Sequence, residues 1–252
     1  MPMKEMNKYD AYYNNYLCIN EDDLKNNITI FPCPQRDKPL NLVFINNLIV
    51  SKIDNKMVFS ISPKFYTEFC KYIEKVEITN IDDNNFLMAI DDFFADYLEN
   101  YSIRRMYRLT VNEDQFRYPP HFDKVMTISD KDEYLKLLGT RGRKYKEKQW
   151  QKRKRIIQDG CFFTIFENNE LASRAVISDI DFNGANIVVV THPKYRQRGY
   201  GKAVVAKTVE WCVKNNKIPI YWVASSNIPS IKLAKNLGFQ VKSKEMVITR
   251  PK

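Results

Sequence analysis

Apolar positions in the first half fall into short extended runs and then into helical stripes. LNLVFINNLIV from Leu40 and MVFSIS to Ser62 read as two strands on either side of Asp54-Asn55. Pro63 can open a helix, and KFYTEFCKYIEKV carries apolar side chains at 65, 69, 72, 73 and 76, one helical face. A second helix over about residues 85–101 carries Phe86, Leu87, Ile90, Phe93, Phe94, Tyr97 and Leu98 on one broad stripe, which reads as core. Ile103 to Val111 reads as a strand. After Val125 the rhythm changes. A short strand to Ser129 precedes helices at 131–138 and 144–158. Strands follow at 161–167 and 171–179, joined by Asn168-Asn169, and Asn183-Gly184 leads into another at 186–191. A helix at 203–214 and a strand at 218–223 complete the pattern. The run Ile187-Val188-Val189-Val190 is continuous and β-branched, as expected of a strand buried on both faces. The order is that of an α+β or α/β chain.

Charge divides this pattern. The 252 residues carry a net +10, but residues 1–125 hold 15 Lys/Arg against 19 Asp/Glu, and residues 126–252 hold 25 against 11. The halves are therefore −4 and +14, and all seven glycines lie in the second. With Pro119-Pro120 at the change, two domains are predicted, 1–118 and 119–252. The first offers no catalytic constellation and reads as a structural or substrate-side domain. No apolar run approaches the ~18 residues of a membrane span. The Tyr/Asn-rich stretch from Met1 to Asn20 lacks the pattern of a secretory signal. Five cysteines, an odd number with no Cys-x-x-Cys pair, and only two histidines argue against a disulfide framework and against a metal site. The expectation is a soluble cytoplasmic protein in a reducing compartment, with no membrane partner.

Arg141 to Arg155 (RGRKYKEKQWQKRKR) has nine basic residues and one acidic. It reads as a solvated helix face, as a surface for an anionic ligand, or as a nucleic-acid patch in which Tyr145 and Trp150 would stack on bases. The same two aromatics could equally face the core.

The most informative stretch is His192-Pro193-Lys194-Tyr195-Arg196-Gln197-Arg198-Gly199-Tyr200-Gly201-Lys202. A strand runs into a basic, glycine-containing turn that opens a helix. Unpaired N–H groups and the helix dipole make such a turn an anion cradle. It is not a Rossmann turn, because Val204 stands where a third glycine is needed. It is not a P-loop, because Arg196 and Ala203 replace the first glycine and the Ser/Thr.

Arg196-x-x-Gly199-x-Gly201 between a strand and a helix resembles the acetyl-CoA pyrophosphate loop of the GNAT superfamily of N-acetyltransferases. Asn227-x-x-Ser230-x-x-x-Ala234-x-x-x-Gly238-Phe239 resembles that superfamily's second motif at the right separation. The likeness is to two-domain bacterial members with a degenerate N-terminal half, and it is weak before residue 120. It implies a mixed central sheet with flanking helices, a smaller α+β domain before it, and acetyl-CoA as cofactor. Val189, Val190 and Thr191 would pair with the pantetheine arm. Arg196, Gln197, Arg198, Gly199, Tyr200, Gly201 and Lys202 would hold the pyrophosphate. Asn227 would bond the pantetheine region, with Ser230 nearby. The central strand and the next would splay, parting Val188–Thr191 from Tyr221–Ala224, and Gly238-Phe239 would open the last hairpin. Residues 131–158 would shape the acceptor side.

An amine would then attack directly, with a backbone N–H polarising the thioester carbonyl. Ala234 stands where many members place the tyrosine that protonates the thiolate, which leaves Tyr221, a water, or unassisted departure. Asp179, Asp181 and His192 are the nearest polar candidates for the base. The expected activity is N-acetylation of a primary amine, with a homodimer allowed and nucleic acid not expected. The alternatives are a nucleic-acid-binding module using residues 141–155 and an inactive acyl-CoA sensor.

Overall fold

The computed structural model describes residues 8–19, 24, 26–40, 43–53, 55–78 and 80–252. The first elements are α1 (Lys8–Leu17), β1 (Ile28–Pro32), β2 (Pro39–Leu40), β3 (Phe44–Ile53), β4 (Lys56–Ile61), α2 (Pro63–Ile73), α3 (Asn84–Ala95) and β5 (Ser102–Thr110). Then come β6 (Met126–Thr127), α4 (Lys131–Leu137), α5 (Arg143–Gln158), β7 (Phe162–Glu167), β8 (Glu170–Asp181) and β9 (Gly184–Thr191). The last are α6 (Tyr200–Lys214), β10 (Ile218–Ala224), α7 (Ile228–Asn236) and β11 (Gln240–Pro251).

The chain forms two compact units. One runs to Arg108 and takes in Trp222–Ile228 and Val241–Lys252; the other holds Leu109–Tyr221 and Pro229–Gln240. The chain thus changes unit four times: inside β5, inside β10, after the first residue of α7 and after the first residue of β11. The Pro119-Pro120 pair lies wholly within the second unit.

In the first unit the strand order is β1-β4-β3-β11-β5. β11 pairs antiparallel with β3, placing Met246 opposite Val50 and Ile248 opposite Leu48. The hairpin expected after Gly238-Phe239 is therefore absent. The residues that follow form a long strand whose apolar side chains complete the core of the first unit. That core joins Leu48, Val50, Phe59 and Met246 to Phe65 and Phe69 of α2 and to Phe86, Phe93 and Phe94 of α3. α3 stops at Ala95, short of the expected 101, and Asn100 turns the chain with φ 52°. Leu98 still reaches the core beyond the helix end, so the stripe outlasts the helix.

α1 is a helix where the sequence showed only a polar, Tyr/Asn-rich stretch. Tyr9, Tyr12, Tyr13, Tyr16 and Leu17 are buried, the i, i+3, i+4, i+7 face of a helix written in tyrosine. They enclose Arg108, which is 1% exposed. Its Nε donates to Glu245 Oε1 at 2.7 Å and its Nη1 to the Tyr12 hydroxyl at 2.7 Å. Glu245 also accepts from Tyr13 Oη at 2.9 Å and from Trp222 Nε1 at 2.8 Å. Burial alone would push the Glu245 carboxyl up, but the Arg108 guanidinium and these donors outweigh it and hold it below the usual carboxylate range. Cys18 and Cys33 form a disulfide, against the expectation of a chain of free thiols. Their Cα atoms are 5.5 Å apart, within bonding reach.

In the second unit the order is β10-β9-β8-β7-β6. α4 and α5 cover one face through Tyr134, Trp150, Ile157, Phe162 and Val176. Cys212 of α6 packs with Ile177 and Ala185 on the other. β9 is not buried on both faces: Val188 and Val190 are 46% and 49% exposed. The cover of α4 and α5 reaches Val176 on β8 but stops short of its cross-strand neighbours on β9. Behind the sheet, Gly238 has φ 97°, and a Cβ there would lie 2.0 Å from the Gln115 carbonyl oxygen. Only glycine fits against that loop.

Candidate functional site

The second unit gathers three features at one end of β9. The first is an open strand edge. β9 pairs in parallel with β10 only from Gly184↔Ile218 to Asn186↔Ile220, whereas its antiparallel pairing with β8 continues to Thr191↔Ser173. Among the described residues, 187–191 therefore keep one side of the backbone without a strand partner. Val189, Val190 and Thr191 lie on that free edge.

The second feature is the turn that follows. Pro193–Tyr195 form a short 3-10 turn, Gln197 has φ 64° and Gly199 has φ 83°. α6 then begins at Tyr200 with no side-chain cap, so the N–H groups of its first turn have no acceptor within the helix. Gly201 needs its missing side chain for a different reason. A Cβ would stand 2.8 Å from Thr191 Oγ1 and 3.0 Å from Leu233 Cδ1. Glycine here lets the start of α6 lie against the end of β9. Arg196, Gln197 and Arg198 are exposed and Lys202 is half-buried.

The loop is tied down from beneath. Tyr195 Oη donates to Glu170 Oε2 at 2.5 Å, and Lys194 Nζ lies 3.0 Å from the same carboxylate. Tyr200 Oη donates to Glu167 Oε2 at 2.8 Å. The buried Tyr195 and Tyr200 are thus anchors, and what Tyr200 offers a ligand is its backbone N–H. Sequence reasoning did not single out Glu167 or Glu170, which occupy an ordinary hairpin. It also passed over His121, whose ring lies 5.3 Å from that of Tyr200 and whose Cδ2 is 3.6 Å from the site of a Gly199 Cβ. No local pattern marks it; the left-handed turn at φ 65° brings it there.

The third feature is the set of titratable groups. Tyr221 is the first β10 residue past the last pair with β9. It is 2% exposed, lies 2.7 Å from Ser230 Oγ, and burial pushes its hydroxyl pKa up. Asp179 sits opposite Asn186 at a register shift in β8, and its Oδ1 accepts from the Ile180 N–H at 3.0 Å. His192 is exposed, and its Nδ1 accepts from the Lys194 N–H at 3.3 Å. Residues 187–191 separate His192 from the level of Asp179 and Tyr221. Only the latter two stand where β9 and β10 part. Ala234 is fully buried. Asn227, a residue of the first unit, closes the turn after β10 with its N–H on the Ala224 carbonyl at 2.9 Å. Burial pushes the Cys161 and Cys212 thiols up to about 12, so neither supplies a thiolate at neutral pH.

A sequence model of the GNAT acetyltransferase family matches residues 51–247. The chain belongs to the GNAT acetyltransferase family. GNAT acetyltransferases use acetyl-CoA. Members of the family also appear among solved structures of similar fold. A GNAT-family protein from Novosphingobium aromaticivorans aligns at 14% identity over 60% of this chain and 66% of its own, just under two thirds, with TM-score 0.45. A Drosophila protein aligns at 15% identity over 81% and 74%, with TM-score 0.50. The protein yncA from Salmonella typhimurium, solved with its cofactor acetyl-CoA, aligns at 16% identity over 50% and 92%, with TM-score 0.39. At 15% identity the likeness to the Drosophila protein is one of fold. No curated protein matches the sequence. The matched span begins at Ser51 and so includes most of the half in which no motif was found.

The loop fits an anionic group on its own geometry: an uncapped helix start, a left-handed glycine, a second glycine with no room for a methyl, and exposed arginines. No helix among the described residues is long and apolar enough to cross a membrane.

Proposed function

We propose that this GNAT protein is an acetyl-CoA-dependent N-acetyltransferase that acts on a primary amine. The observation that carries the reading is the free edge of β9 at 187–191 leading through the 192–199 turn into the uncapped start of α6. Bound acetyl-CoA would supply a thioester that an amine can attack directly. The N–H groups of Gly199–Lys202, with Arg196 and Arg198, bind the pyrophosphate, and the edge of Val189–Thr191 aligns the arm. A backbone N–H of that edge polarises the carbonyl. Tyr221 keeps its proton at neutral pH and is the candidate donor to the departing sulfur. Asp179 is the candidate acceptor for the amine's proton, through water, while His192 holds the turn. Ser230 remains a candidate for the arm's polar contacts.

Thermal denaturation with acetyl-CoA tests the reading. A ligand selective for the folded state stabilises it by about 2.7 kcal/mol at 100-fold excess over Kd. The unfolding midpoint should rise with acetyl-CoA, and Arg198→Glu with Gly199→Asp should abolish the rise. No rise at saturating acetyl-CoA would end the proposal.

A further inference from the structure

The exposed apolar floor beside the open edge has charged side chains next to it. Cross-strand pairing places Thr164, Arg174 and Val190 in one row and Phe162, Val176 and Val188 in the next, all on the α4–α5 face. Along the first row Thr164 is buried, Arg174 half-buried and Val190 exposed, so the cover thins from β7 toward β9 and Arg174 lies beside an open apolar side chain. Arg153 of α5 comes to the same place. It stands close enough to the Tyr134 hydroxyl and to Arg174 for its charge to act on both. Among the described residues neither Arg153 nor Arg174 forms an ion pair with a carboxylate, whereas the Tyr134 and Tyr145 hydroxyls lie near Arg174. Burial, followed by the charge of Arg153, lowers the Arg174 pKa. Two guanidinium groups held together without an acid, half out of water, are a costly arrangement that an anion would relieve.

We infer that Arg153 and Arg174 form the acceptor subsite of this transferase and bind an anionic group, so that its substrate is a small amine also carrying a carboxylate or a phosphate. The inference rests on the acetyltransferase reading. The planar forks of the two arginines suit bidentate contact with either group. The exposed Val188 and Val190 would carry the aliphatic stem between that group and the amine at the β9 edge. This gives part of the basic 141–155 segment a role. It also divides the two aromatics: Trp150 packs against Tyr134 in the core, whereas Tyr145 stays exposed.

The test measures thiol release by the full chain with acetyl-CoA and matched acceptors. The pairs are an ω-amino acid with its carboxamide and a phosphorylated amino sugar with its unphosphorylated parent. The anionic member of at least one pair should exceed its neutral partner by ten-fold or more in kcat/KM, and the better pair identifies the group. Arg174→Gln and Arg153→Gln should remove that preference by raising KM, with kcat and neutral-acceptor turnover unchanged, while Arg174→Lys restores part of it. Equal turnover within both pairs, or equal losses for charged and neutral acceptors in the variants, overturns the subsite while leaving the transferase reading intact. A second readout needs no turnover: malonate, at constant ionic strength, should raise the unfolding midpoint of the unmodified chain and not of the Arg153→Gln/Arg174→Gln double variant. A malonate rise without any thiol release would keep the subsite and overturn the transferase reading. No malonate rise overturns the subsite.

Discussion

Single residues decide two features of the second unit. Gly199 and Gly201 could be read from the sequence because a strand, a basic turn and a helix surround them. The structure separates their duties: Gly199 supplies a left-handed turn, and Gly201 supplies space beside Thr191. Gly238 could be read only as a motif letter, since its reason, the carbonyl of Gln115, comes from more than a hundred positions earlier in the chain. Gly238→Ala combines a positive φ with a clash against backbone, so it should cost at least about 2 kcal/mol in urea denaturation. Glu245 is a second residue whose meaning was hidden. A lone acid in a C-terminal strand looks like surface, and only the return of β11 into the first unit puts it beside Arg108. Its folded pKa lies below its unfolded value. The pair's contribution is therefore complete above the ordinary carboxylate pKa of about 4.3 and is lost as pH falls through the folded value. Unfolding free energy should drop steeply on acidification below about pH 4. Glu245→Gln should lose about 3–5 kcal/mol at neutral pH by leaving Arg108 buried and unpaired, and its acid dependence should be shallower.

Elements were legible where the period was clean. β3, β4, α2, α4, α5 and the β7-β8-β9 meander lie where alternation, 3.6-residue spacing and Asn turns put them. β1 was not read at all and β11 only as part of a hairpin; three further departures each have a physical reason. α1 hides its period because tyrosine is amphipathic and the intervening positions are Asn, Asp and Ala. α3 ends early although its stripe continues, since Leu98 can reach the core from a loop. β9 carries a fully apolar run yet exposes every second side chain. Here the apolar run does not signal burial: the free backbone edge and the exposed apolar floor are the same strand seen from two directions.

At the scale of the molecule, the composition changes near residue 119, whereas the chain changes unit near Arg108, within β10 and at the first residues of α7 and β11. None of these crossings could be read from charge or glycine content, because each falls inside a regular element. We predict that a fragment of residues 1–118 stays unfolded, as judged by amide dispersion in solution NMR. It lacks Met246, Ile248 and Glu245, and with them the strand that lies beside β3. A well-dispersed spectrum from that fragment would contradict the assignment of β11 to this core.

The pairing of β3 with β11 also has a consequence for biosynthesis. β3 leaves the ribosome nearly two hundred residues before the strand that covers it, and during that interval its edge is open to any other extended chain. Residues 1–108 must therefore wait, incomplete, for translation to reach Pro251. Slow elongation or premature termination would expose an aggregation-prone sheet. A host that makes this protein efficiently has to shield β3 on the nascent chain until the last strand arrives.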